Sequence, residues 1–224
     1  NCALNKPEGM RGMSQDTGVA PSPRANVVLA LLLFAYIFNF LDRTILNILA
    51  GPIIADLQLT DTQFGAITGL AFAILYSVMG VPLAMLADRT GRSLVVAGAL
   101  AVWSGFTALC GTAASFGQLF IYRLGVGVGE AGGVAPSYAL IADYFPPHKR
   151  ARALGIFSLG VPIGLGAGTL LGAYIAALID WRAAFLIMGF AGIAFAPLLR
   201  WVARDAPRPA ASSLTTVPLS NVFA

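Results

Sequence analysis

Six long apolar segments, separated by short polar stretches, constrain this 224-residue chain more than any other feature: Ala25–Leu49, Thr62–Leu86, Leu94–Ala114, Gln118–Ala142, Arg152–Ile179 and Trp181–Trp201. Each reaches the ~20 residues needed to cross the hydrocarbon core of a bilayer. A chain immersed in lipid must satisfy its own backbone hydrogen bonds, so segments of this length read as helices. The expected fold class is therefore an all-α integral membrane bundle of six transmembrane helices. Composition excludes the alternative of a water-soluble globule, because 58% of residues are hydrophobic and only 11% charged, against about 25% charged in soluble domains. A net charge of +4 could suit nucleic acid, but the basic residues sit at the ends of the apolar runs, and no nucleic-acid partner is expected. Membrane lipids are the expected surroundings.

The positions of Lys and Arg set an orientation. With the N-terminus inside, the inner segments carry Lys6, Arg11, Arg24, Arg89, Arg92, Lys149, Arg150, Arg152, Arg200, Arg204 and Arg208, and the outer loops carry Arg182 alone. This bias places both termini in the cytoplasm of a cell membrane, most simply a bacterial inner membrane. Three regions follow: a polar cytoplasmic tail over 1–24, the bundle over 25–201, and a Pro-, Ser- and Thr-rich cytoplasmic connector over 202–224. The tail lacks the apolar core and cleavage site of a signal peptide. Local punctuation agrees with the spans. Thr60 to Gln63 has capping-box spacing, Gly91 stands where a helix C-terminus wants glycine, and Trp181 and Trp201 bracket the last span as expected interfacial anchors. Gly80 and Asp88, and Gly172 and Asp180, share one spacing. That match hints at two inverted three-helix repeats, a common transporter construction.

Four ionisable residues fall within spans: Asp42 and Arg43 in the first, Arg123 and Glu130 in the fourth. A charge at mid-bilayer is costly, and such residues usually face a bundle interior or a watered cavity. Arg123 and Glu130 are seven apart, nearly two helical turns, and so share a face. Both signs occur on both helices, so pairing across the first and fourth spans is open. Burial and a neighbouring Arg act on a carboxylate in opposite senses, so moving the Arg would switch its proton affinity. That is the physical requirement for proton coupling, with Glu130 and Asp42 as candidates.

Glycines at Gly160, Gly164, Gly168 and Gly172 recur every fourth residue in the fifth span, and Gly125, Gly129 and Gly133 do so in the fourth. Such stripes let helix backbones approach closely. Pro162 and Pro136 lie in the same spans and permit kinks. The run Gly127 to Gly132 matches the dinucleotide fingerprint but lacks the strand that fingerprint needs. Cys2 and Cys110 make no metal or disulfide framework, and His148 stands in a polar loop without a nucleophile. Neither an enzyme nor a cofactor or metal site is expected.

The segment Asp88-Arg89-Thr90-Gly91-Arg92 between the second and third spans resembles the signature loop of the major facilitator superfamily. Ala84 and Ser93 depart from its usual glycine and basic residue. Arg123 and the region Gly160-Val161-Pro162 through Gly166 are similar to two further motifs of that superfamily. Asn39 to Arg43, Leu59 to Gly65, the glycine-rich run from Arg123 to Gly132, Asp143 to Pro147, and Trp181-Arg182 with Phe185 resemble the spinster-type lipid transporter branch. The resemblance implies one half of a twelve-helix fold with alternating access, a second six-helix half, and a small-molecule substrate. It implies that Asp42, Arg43 and Glu130 line a cavity and serve ion coupling, the ion being a proton, or substrate binding. It also implies that Asp88, Arg89, Gly91 and Arg92 form a gating loop. Lysolipid-like amphiphiles are the implied substrate class. Two other readings remain: a functional homodimer of six-helix chains, and a non-transporting assembly or regulatory module.

Overall fold

The computed structural model describes residues 24–178 and 180–205; the expected tail and most of the segment after residue 202 lie outside that range. Among the described residues all regular structure is helical. The elements are α1 (Ala25–Ile48), α2 (Ala50–Leu57), α3 (Asp61–Gly65), α4 (Ala71–Thr90), α5 (Arg92–Cys110), α6 (Phe116–Ala131), α7 (Val134–Tyr144), α8 (Pro147–Ser158), α9 (Gly160–Leu178) and α10 (Trp181–Val202). A π-helical turn, Ala66–Leu70, joins α3 to α4 without a break. Among the described residues, five helical stretches are long and apolar enough to cross a membrane: Ala25–Ile48, Asp61–Thr90, Arg92–Cys110, Pro147–Ile175 and Trp181–Val202.

The fourth apolar segment departs from the expected single helix. It is split at Gly132-Gly133 into α6 and α7, and the N–H groups of both glycines turn back to carbonyls three residues earlier. Pro136 explains part of this, since it has no N–H to give the Gly132 carbonyl. The fifth segment is jointed in a similar way between Ser158 and Gly160. In each case the proline, Pro136 or Pro162, falls in the first turn of the second piece, where a missing N–H costs little. The second segment starts as its sequence indicates: Thr60 Oγ1 accepts from Gln63 N–H at 3.2 Å and Gln63 Oε1 accepts from Thr60 N–H at 2.9 Å.

Glycine decides how the helices pack. The main contacts run α5 along α10 and α6, α1 along α9, and α4 along α6. A Cβ added at Gly164 would lie 2.6 Å from the Ile37 carbonyl oxygen, at Gly168 2.7 Å from Thr44 Cβ, and at Gly160 2.8 Å from the Tyr36 ring. Gly172 continues the line against Ile48. Thus α9 lies backbone-close on α1. Gly129 of α6 sits against the backbone of Trp103, and Gly133, just before α7, against its indole ring. The outward faces stay apolar, with Val81 65%, Leu170 75% and Phe190 62% exposed. Exposed apolar area on this scale marks a surface made for lipid or another protein.

Of the two tryptophans that bracket the last span, Trp181 departs from its expected role. Trp201 is 70% exposed, but Trp181 is only 3% exposed and is therefore no interfacial anchor. Its indole N–H donates to Asp56 at 3.2 Å, and Arg182 lies over its ring and pairs with the same carboxylate. The hydrogen bond from Arg182 holds the Asp56 carboxyl below the usual aspartate range. This clamp of α10 onto α2 therefore persists above that range and is lost as pH falls through the lowered value.

Candidate functional site

The four intramembrane charges meet between α1 and α6, bridging the two helices through their side chains, and they pair crosswise. Arg43 Nε donates to Glu130 Oε2 at 2.7 Å, and a terminal guanidinium nitrogen lies 2.5 Å from the same oxygen. Arg123 pairs with Asp42 at 3.3 Å. Asp42 and Arg43 are neighbours on α1, so their side chains leave the helix about 100° apart. Each therefore reaches a different residue of the Arg123–Glu130 face. Asp42 and Arg123 are 2% exposed and Glu130 is fully buried, whereas the Arg43 side chain keeps 29% of its surface open. Arg43 is the member of the quartet that an incoming solute can touch.

An aromatic cradle holds that cation. The Arg43 guanidinium carbon lies 4.2 Å from the centre of the Phe72 ring and 5.2 Å from those of Phe40 and Tyr76. Phe72 and Tyr76 are one turn apart on α4 and stack on each other. Gly127 of α6 comes within van der Waals reach of the Phe72 backbone, which brings α4 close enough to present these rings. The sequence reading missed this platform, although an aromatic pair at i and i+4 in an apolar span was its signal.

The seam continues past the quartet. Asn39 stands one turn before Asp42 and is 3% exposed; Trp103 is 2% exposed. Asn39 Oδ1, Trp103 Nε1, Glu130 Oε1 and Arg123 Nε are buried without a protein hydrogen-bond partner. Asn39, Trp103, Ser137 and Tyr36 line one small cavity of about 10 Å³ beside the break in the fourth segment, room for about one water. A seam of buried polar atoms open to a water-sized space can exchange hydrogen-bond partners, which an apolar helix contact cannot.

The loop residues form a second cluster at the basic end of the bundle. Arg92 bridges Asp143 at 2.5 Å and Asp88 at 3.2 Å, and donates to the Ala139 carbonyl at 3.2 Å. Arg89 is exposed. Gly91 has φ +143°, a conformation closed to other residues at low cost. A Cβ there would also lie 2.6 Å from Asp205 Oδ2. The Asp205 carboxylate accepts from Ser93 N–H and Ser93 Oγ–H, both at 2.9 Å. It thereby satisfies a free N–H in the first turn of α5, where a negative charge suits the helix dipole. Asp143 and Asp205 were not picked out as partners from the sequence. Their pairing depends on the ends of α7 and α10 returning to this loop.

A profile of the Major Facilitator Superfamily matches residues 32–222. The chain belongs to this superfamily. Its relatives include an MFS-type efflux pump of Mycolicibacterium smegmatis, 39% identical over 79% of this chain and 41% of that protein. The hexuronate transporter of Bacillus subtilis is 31% identical over 81% of the chain and 43% of its own length. Human protein spinster homolog 1 is 30% identical over 94% and 40%. Among solved structures, a bacterial homolog to the human lysosomal transporter spinster, inward-facing and unoccupied, matches with a TM-score of 0.79 at 35% identity. That match covers 90% of this chain and 47% of the other. The chain thus spans about two fifths of the length of these curated relatives. As a major facilitator superfamily member with several apolar spanning helices, it is a multi-pass membrane protein.

Proposed function

We propose that this chain is the N-terminal six-span half of a proton-coupled, alternating-access transporter for a small amphipathic or organic anionic substrate. The observation that carries the reading is the crosswise quartet with Arg43 as its open member. An anionic solute that engages Arg43 competes with Glu130 for the same guanidinium. Glu130, buried and deprived of its partner, then takes up a proton rather than remain an unpaired ion, which costs several kcal/mol. In the reverse step a proton on Glu130 releases Arg43 toward substrate. Asp42 and Arg123, sealed from solvent, hold α1 to α6 while this exchange proceeds, with Asp42 as second proton carrier. Counting α6 and α7 as one broken span gives six. Inverted three-helix repeats have support in the packing: exchanging the repeats turns the α4–α6 contact into the α9–α1 contact and maps α5–α10 onto itself. The basic residues gathered at one end support a cytoplasmic position for both termini.

The test is uptake by the intact protein in proteoliposomes under an imposed pH gradient, with a hexuronate and a lysophospholipid as candidate substrates. Arg43→Ala should raise the half-saturating concentration of the true substrate at least tenfold, since a charge-assisted contact contributes about 1.5–3 kcal/mol. An unchanged affinity would remove Arg43 from the binding step.

The loop cluster is proposed as the gate on the cytoplasmic side. Asp88 and Asp143 compete for Arg92, and removing one charge loosens the junction of α4, α5 and α7. Asp88→Asn should shift the population toward inward-open, read as raised cysteine accessibility at the basic end. Accessibility equal to wild type would reduce the loop to a topology signal.

A further inference from the structure

We infer that the basic end of α10, together with the start of α1, is a binding site for the headgroup of an anionic phospholipid. The ligands are Arg24, Arg200 and Arg204, and Trp201 is the interfacial anchor. Two adjoining clefts meet there. One, of about 680 Å³, is lined by Pro197, Arg200, Trp201, Arg204 and Asp205. The other, of about 280 Å³, is lined by Arg24, Val27, Trp201, Val202 and Arg204. Trp201 and Arg204 form the wall between them.

Three features fit a lipid headgroup. First, the charge is uncompensated. Among the described residues none of the three arginines forms an ion pair, and Asp205, which lines the larger cleft, has both carboxylate oxygens turned to Ser93. Three guanidinium forks with no carboxylate to fill them are suited to a phosphodiester, which they bind with two parallel hydrogen bonds. Second, the walls are amphipathic. Val27, Val202 and Pro197 offer apolar surface next to the charges, as acyl chains and glycerol require. Trp201, 70% exposed at a helix end, presents the ring-and-N–H surface that settles at headgroup depth. Third, the segment is held in place. The Tyr144 hydroxyl donates to the Arg204 carbonyl, and Asp205 is fastened to α5, so the arginines start from a fixed backbone. Only the leaflet concerned depends on the orientation proposed above.

A second basic cleft provides a control. Lys149 and Arg152 line a space of about 310 Å³ with Asn26, Leu29 and Phe145, but it has no exposed tryptophan. The intact protein is purified in detergent and titrated with phosphatidylglycerol or phosphatidylcholine, and bound lipid is counted by native mass spectrometry. Wild type is expected to retain phosphatidylglycerol in preference to phosphatidylcholine. Arg200→Ala with Arg204→Ala should weaken phosphatidylglycerol about 25-fold, at about fivefold per arginine. Lys149→Ala with Arg152→Ala, an equal change in charge away from the headgroup contacts, should leave it within about twofold, since exposed charges that do not touch the ligand contribute little. Equal loss in the two double variants would overturn the site in favour of diffuse surface charge. So would a wild-type protein that does not discriminate the two lipids, a result that needs no variant to fold. Displacement of the lipid by inorganic phosphate at equal concentration would reassign the arginines to a soluble anion.

Discussion

Glu130→Gln abolishes proton-driven accumulation while leaving substrate binding and passive exchange partly intact. The substitution keeps the shape of the side chain and removes its charge, so it imitates the protonated carboxyl. Arg43 loses the negative charge that lies 2.5 Å from it, keeps at most a neutral amide oxygen as partner, and remains available to substrate, held by Phe72 and Tyr76. The driven step should fall to background, a loss of at least about 100-fold, as expected when an essential proton carrier is deleted. Arg43→Ala gives the opposite division, with weakened binding. The reading fails if Glu130→Gln accumulates substrate with the pH dependence of wild type, because the residue would then be structural.

Gly164→Ala should unfold or mispack the bundle although it adds one methyl group. Its Cβ would lie 2.6 Å from the Ile37 carbonyl oxygen and 2.7 Å from Phe40 Cβ, both on α1, the helix that carries Asp42 and Arg43. Backbone cannot step aside as a flexible side chain can. The cost is then at or above ~3 kcal/mol, the upper end of ordinary overpacking. Membrane helices have little hydrophobic drive toward one another and rely on this close contact. Two residues on, Gly166 has nothing within 4 Å of its added Cβ, so Gly166→Ala should be nearly neutral. Thermal unfolding of the two variants in one detergent decides the matter. Equal stability would mean that α9 and α1 are not packed as described.

Hydropathy alone made the helical membrane class legible, and positions of charge made the quartet legible, because ions inside an apolar span have few reasons to be there. Pairing was not legible: nothing in the order Asp42-Arg43 and Arg123, Glu130 says which acid takes which base. That follows from how folding places α1 relative to α6 and from glycine-controlled distance. The break at Gly132-Gly133 escaped a hydropathy reading because glycine and alanine keep the stretch apolar whether or not the helix is continuous. The proline and two glycines were the local signal. Trp181 was misread because an indole at a span end fits a lipid interface and a buried hydrogen bond equally well; the deciding partner, Asp56, is far away in sequence. Asp205 was passed over for the same reason, its partner Ser93 lying on a helix that only folding brings near.

The central claim is that one buried carboxylate exchanges a proton for its arginine when substrate binds. The most direct measurement is proton movement into lightly buffered proteoliposomes carrying a pH-sensitive dye, on addition of the transported substrate, for wild type and Glu130→Gln. The account predicts substrate-dependent proton flux in wild type and none above background in Glu130→Gln, with substrate exchange still present in both. Equal proton flux from the two proteins, or substrate accumulation in wild type with no proton movement, would contradict it.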